Sequence, residues 1–207
     1  LEAHLARLRR SAKALGFADL PADPDIVAAI TETLIANRMW DGVHVRLTLT
    51  RGVKITSGMD PRLNTAGPTL IVLAEHKPPV YDTGGLRLIT AGVRRAGPDV
   101  LDPKIHHANL LNSILAKIEA NVAGADDALM LDGRGFVAET NATHLFAVVD
   151  GVLCTPYTSA CPEGITRATV LRLAADAAIP VAVRDLTQAE FYTAAEVFCT
   201  GTMGELA

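Results

Sequence analysis

The sequence of 207 residues is 49% apolar and carries a net charge of −4 with both signs interspersed. That balance supports a sizeable core and argues against a nucleic-acid binder, which needs a basic face; no apolar run has the length to span a bilayer as a helix. The three cysteines, Cys154, Cys161 and Cys199, are odd in number and lack zinc spacing, so no metal site is expected and reduced thiols in a cytoplasmic protein are the simplest account.

Residues 1–15 place Leu1, Leu5, Leu8, Ala12 and Leu15 on one face with arginines opposite, the pattern of an amphipathic helix. The chain begins inside this pattern and stops just after a strand-like run, so it is expected to be a fragment of a longer protein. A second helix is predicted over 26–37, with Ile26, Ile30, Leu34 and Ile35 inward. Val43–Thr50 alternates strictly and predicts a strand, from which Arg46 projects on the polar side; Thr69–Ala74 predicts a buried strand. The run 78–85 is rich in proline and glycine and reads as a linker. It divides a small N-terminal lobe, 1–77, from a larger lobe, 86–207.

In the second part a strand is predicted over 86–90 and a helix over 109–122. Hairpins follow over 128–139 and 144–155, turning at Asp132-Gly133 and Asp150-Gly151. A helix over 167–178, strands over 181–184 and 196–199, and a short helix near 188–191 complete the chain. Frequent hairpins among helices predict an α+β lobe of mixed sheets rather than a doubly wound parallel sheet.

Four stretches could carry chemistry. Lys104 follows Pro103 and stands shortly before the helical run from Asn109. Desolvation and the positive end of a helix dipole both favour a neutral amine, which can form a Schiff base with a carbonyl cofactor. Taken alone, Lys104 is better read as a solvated loop residue. Glu139 ends a hairpin strand; it is a surface charge, the usual fate of a glutamate, or it faces inward, where it would keep a pyridine nitrogen protonated. Gly164-Ile165-Thr166 opens a helix whose free amides suit a phosphate. Thr200-Gly-Thr202-Met203-Gly204 is a second loop of that kind, and either loop alone is better read as an ordinary turn. Arg46 and Arg51 are candidates for a substrate carboxylate, with a solvated-surface role equally open. His106 and His107 have no acidic or thiol partner at metal spacing.

Taken together, Lys104 before Asn109-Leu110, Glu139 in Phe136-Val-Ala-Glu-Thr-Asn141, Leu153-Cys-Thr155, Gly164-Ile-Thr-Arg167 and Gly201-Thr-Met-Gly-Glu205 resemble the class IV, fold-type IV, pyridoxal-phosphate aminotransferases. Branched-chain aminotransferase is the nearest kind, and the resemblance covers the whole chain. It implies that Lys104 carries the Schiff base with pyridoxal 5′-phosphate and that Glu139 meets the ring nitrogen. It further implies that Ile165, Thr166 and Thr202 hold the phosphate, and that Asn109 is the candidate near the ring oxygen. Met203 and Gly204 would face the substrate carboxylate. A homodimer is implied, with a small lobe and a larger, barrel-like lobe around the cofactor, and ping-pong transamination between an amino acid and a 2-oxo acid. A D-amino acid aminotransferase, an aminodeoxychorismate lyase and a non-catalytic homologue stay open.

The sequence departs from the family pattern in places. Leu110 stands for a usual tyrosine, His144 for a usual asparagine, and Pro162-Glu163 for Leu-Pro; the usual phosphate-gripping arginine lies outside the sequence. His106 is a rival for the lysine position, an alignment under which the catalytic amine is missing; Lys104 is preferred because an imidazole forms no Schiff base.

Overall fold

The structure is a computed structural model that describes residues 1–78, 80, 81, 84–203 and 205–207, with only the backbone of residue 205. It divides into two compact units, Leu1–Pro78 and Pro79–Ala207.

The first unit contains α1 (Glu2–Ala14), α2 (Asp23–Asn37), β1 (Val43–Thr50) and β2 (Thr69–His76). Leu5 and Ala12 are the buried part of the predicted α1 stripe, while Leu1 and Leu15, at its ends, are exposed. Helix α2 starts three residues before the predicted position. Pro24 sits in its first turn, where a missing N–H costs nothing, and Asp25 accepts from the Ala22 amide at 3.3 Å. Only Ile26 of its predicted inward set is buried, and Ile35 is exposed, one residue and so about 100° round from Leu34. β1 and β2 pair antiparallel from Val43↔His76 to Thr50↔Thr69. β2 is not the buried strand its apolar run suggested. It alternates, with Ile71 and Leu73 exposed, because α2 packs against one face of a two-stranded sheet.

The second unit contains β3 (Leu88–Thr90), α3 (Leu111–Val122), β4 (Asp127–Leu131), β5 (Val137–Thr140), β6 (His144–Val149), β7 (Val152–Thr155), α4 (Ile165–Asp176), β8 (Val181–Val183), α5 (Gln188–Thr193), β9 (Glu196–Gly201) and β10 (Glu205–Leu206). One sheet has the order β3-β4-β5 and the other β10-β9-β6-β7-β8. β3–β4 and β7–β8 are parallel, and the remaining pairs are antiparallel. The mixed α+β reading therefore holds. The turn between β6 and β7 has Asp150 at φ 50° and Gly151 at φ 76°, the twist that joins two strands in a tight hairpin.

Leu129, Leu131, Val137, Leu145, Ala147, Leu186, Phe191 and Cys199 fill a core shared by the two sheets. Ala116 and Ala120 bring α3 close to Ala91, Ala128 and Met130. Helix α4 packs through Ala174 on Phe146 and Leu153, and the Phe146 ring stacks on Phe198 at 5.1 Å. No helix among the described residues is long and apolar enough to cross a membrane.

Candidate active site

The centre of the site is the turn between β5 and β6. Thr140 and Thr143 lock it: the Thr143 amide donates to Thr140 Oγ1 at 2.8 Å, and the Thr140 amide donates to the Thr143 carbonyl at 2.8 Å. A hydroxyl closing its own turn in this way is local chemistry that the sequence Thr-Asn-Ala-Thr encodes. The turn sets Glu139, on the end of β5, beside His144, on the start of β6. Glu139 Oε2 lies 3.7 Å from His144 Nδ1.

Glu139 is 4% exposed. Its Oε1 forms an ion pair with Arg95 Nη2 at 2.5 Å. Arg95 is itself fixed, donating from Nη1 to Ser113 Oγ on α3 at 2.8 Å and from Nε to the Ala160 carbonyl at 3.2 Å. Burial pushes the Glu139 carboxyl up to about 7, against the downward pull of Arg95. Cys161, next to Ala160, is buried, and its Sγ is 3.9 Å from His144 Nδ1. Burial, and then the charge of Glu139, push its thiol up to about 12, while Arg95, Lys104 and Arg167 pull it down.

Lys104 meets this cluster from another side. It does not stand at the mouth of α3, which begins only at Leu111, and its neighbours are polar rather than apolar. Its Nζ donates to the Thr158 carbonyl and to Thr158 Oγ1, both at 2.6 Å, and lies 3.8 Å from Glu163 Oε1. The side chain is 41% exposed. Glu163, which a phosphate nearby would repel, thus has a cationic partner.

Gly164 is the N-cap of α4 and provides no side-chain cap, so the first amides, those of Ile165 and Thr166, meet no capping group from it. Glycine is required there by contact. A Cβ would come within 2.2 Å of His144 Cδ2 and 2.3 Å of Nε2. Arg167 turns away, donating to Thr155 Oγ1 at 3.2 Å and the Pro156 carbonyl at 2.9 Å.

The structure thus brings Glu139, Lys104 and the Gly164–Thr166 turn around one set of neighbours: His144, Cys161 and the 158–163 loop. Other predicted residues stand apart from those contacts. Asn109 is exposed, its amide donating to His107 Nδ1 at 3.1 Å. Thr202 and Met203 are exposed, and the Met203 carbonyl accepts from the Val80 amide at 3.0 Å. Gly204 lies outside the described residues. Arg46 is exposed on β1 in the first unit, opposite Leu73.

Sequence reasoning missed Arg95, Cys161 and Thr158. Nothing local marks them, since each partner is distant along the chain. It also missed that Glu139, His144 and Cys161 bring one potential metal-ligand atom each within 4.8 Å of one another. The Arg95 guanidinium, already bonded to Glu139, disfavours a cation there.

The profile of the amino-transferase class IV family matches residues 1–207. Branched-chain-amino-acid aminotransferase-like protein 2 of Arabidopsis thaliana is 56% identical over 207 residues, which are 100% of this chain and 37% of that protein; the chain thus spans little more than a third of that relative's length. The branched-chain aminotransferase of Thermoproteus uzoniensis, solved with norvaline, superposes with a TM-score of 0.92 at 31% identity, covering 100% of this chain and 69% of that one. The branched-chain amino acid aminotransferase of Thermobaculum terrenum, solved in its PLP form, gives a TM-score of 0.88 at 29% identity, covering 100% and 67%. The fold is that of the fold-type IV aminotransferases, and the chain belongs to the amino-transferase class IV family.

Proposed function

We propose that this chain carries a pyridoxal-phosphate-dependent transamination between a branched-chain amino acid and a 2-oxo acid. One observation carries this reading: a buried carboxylate (Glu139), a lysine amine (Lys104) and an uncapped helix start (Gly164) all gather about Cys161 and His144. The solved relatives named above, one with norvaline and one in its PLP form, favour it over the lyase, D-amino acid and non-catalytic alternatives.

The donor set fits the cofactor. A ring nitrogen calls for a buried acid, and Glu139 has its Oε2 3.7 Å from the nearest His144 nitrogen, outside hydrogen-bonding distance, while Arg95 holds Oε1. A phosphate calls for amides and hydroxyls; the uncapped start of α4 offers those of Ile165 and Thr166, and Thr202, which stands apart from these contacts, stays a candidate. An aldehyde calls for a primary amine, and Lys104 supplies one; His106 does not. When bound, pyridoxal phosphate supplies the electron sink that makes the α-carbon of an amino acid acidic. Arg95 holds the Glu139 carboxylate in place. Lys104, on leaving Thr158, would hold the aldehyde carbon and take up and return a proton at Nζ. Met203 stays a candidate for the substrate carboxylate, as does Arg46 for its forked guanidinium.

We read the two compact units as the small lobe and the larger cofactor-binding lobe; their boundary at Pro78 supports this. A homodimer is favoured by α3, where Leu111, Ile114, Ile118 and Val122 form an exposed apolar stripe at helical spacing. The three free buried thiols favour a reducing compartment such as the cytoplasm.

The test uses the full-length protein, loaded with cofactor, reduced with borohydride and mapped by mass spectrometry. The adduct is expected on Lys104, with the visible band lost in Lys104→Ala. Leucine and valine are expected to react, and D-alanine and aminodeoxychorismate not. Absence of a visible band after added cofactor would support the non-catalytic alternative.

A further inference from the structure

His144 and Thr200 form a pair that the reading above leaves unused. They stand opposite each other in the β6–β9 ladder, so their side chains share one face of the sheet. Phe146 and Phe198, two residues along each strand, lie on that same face, where α4 packs through Ala174. The N-terminal end of α4 reaches His144, whose Cδ2 and Nε2 are the atoms that a Cβ on Gly164 would strike.

Two observations at this spot point independently to a ligand. Helix α4, 12 residues long, starts without a side-chain cap. The Thr200 hydroxyl, on a residue 1% exposed, has no hydrogen-bond partner among the described residues. A buried hydroxyl without a partner is destabilising unless something supplies one. The chemistry that satisfies amides, a hydroxyl and an imidazole N–H together is an acceptor-rich anion.

We propose that His144 Nε2 and Thr200 Oγ1 are direct ligands of a phosphate monoester held at the start of α4, and that they set the preference of the site for the phosphorylated cofactor over its unphosphorylated form. This rests on the reading under Proposed function. Two groups face Nδ1 of His144, Glu139 Oε2 at 3.7 Å and Cys161 Sγ at 3.9 Å. Nε2 is on the opposite side of the ring, on the edge facing Gly164, and a ring N–H there would point at the start of α4.

The test measures binding of pyridoxal 5′-phosphate, pyridoxal and inorganic phosphate, each separately, to the cofactor-stripped full-length protein. His144→Asn is expected to weaken the phosphorylated aldehyde by about tenfold, the loss of one hydrogen bond to a charged group. Thr200→Val, close in shape, is expected to weaken it by a few-fold. Pyridoxal binding should be unchanged in both, which also reports that the variants fold. An unchanged ratio of the two aldehydes in His144→Asn, or tighter binding of the phosphorylated one, overturns the proposal and makes the ring a space-filling group. If the unsubstituted protein takes up neither aldehyde, the cofactor reading fails; the phosphate titration of the same variants then decides His144 and Thr200 by itself.

Discussion

The two charged groups on which the proposed chemistry turns live in opposite surroundings. Glu139 is almost fully buried, gripped by an arginine that is itself tied to α3 and to the 158–163 loop. Lys104 is 41% exposed and touches a threonine and a glutamate on that loop. The fold therefore fixes the acid by burial and leaves the amine on a short polar tether. Burying a charge requires a partner from elsewhere in the fold, and Arg95 is that partner. A half-exposed amine keeps water as an alternative partner, so its contacts are weak and exchangeable. An acid that must only stay in place and an amine that must make and break bonds have different requirements, and these surroundings match them.

The largest effect is expected from removing the arginine. Arg95→Met leaves Glu139 buried without its cation, and breaking a buried pair from one side costs about 3–5 kcal/mol. Urea unfolding at pH 8 should show that loss in the cofactor-free protein. Adding Glu139→Gln to Arg95→Met should restore most of it, because an amide needs no countercharge. A loss below about 1 kcal/mol in the single variant would put the acid in a wetter place than the comparison requires.

A slightly smaller effect concerns pH. The Glu139 carboxyl is raised from 4.5 to about 7 in the folded protein. The folded state thus binds the proton more tightly than the unfolded chain. Its contribution to stability is fully present below pH 4.5 and is lost as the pH rises through about 7. The total is on the order of 3 kcal/mol at 1.36 kcal/mol per pH unit. Glu139→Gln should flatten the stability curve of the cofactor-free protein between those two pH values. A slope that persists in the variant would assign the titration to another group.

Much of this contrast was legible along the sequence, and the rest was not, for reasons of range. Glu139 could be placed on a hairpin strand because Val137–Thr140 and His144–Val149 are bounded by short polar turns, and Asp150-Gly151 fits its tight turn by local backbone preference alone. The helix start at Gly164 was visible for the same reason. Arg95 was not, since what marks it is a contact with Glu139 across two elements, and an arginine in a loop looks the same whether it is solvated or buried. The surroundings of Lys104 were misread: the helix expected from Asn109 begins at Leu111, and the loop between turns the lysine toward Thr158. β2 was misread as buried because an apolar run looks alike whether one face or both are covered. Thr200 could not be singled out, because an unpartnered hydroxyl is defined by what surrounds it.

The smallest effect lies on the amine side and is the sharpest check of the contrast. Lys104→Met removes two hydrogen bonds to Thr158 and the approach to Glu163 at 3.8 Å, yet all of these are half-exposed. Exposed pairs of this kind contribute about 0–1 kcal/mol, so thermal or urea unfolding of the cofactor-free protein should barely move. The same variant should lose all covalent attachment of the cofactor, because methionine fills a similar volume without offering an amine. Stability kept and attachment lost would separate the two roles cleanly. A stability loss as large as that of Arg95→Met would mean that the amine, like the acid, is held by the fold, and the idea of a releasable tether would fail.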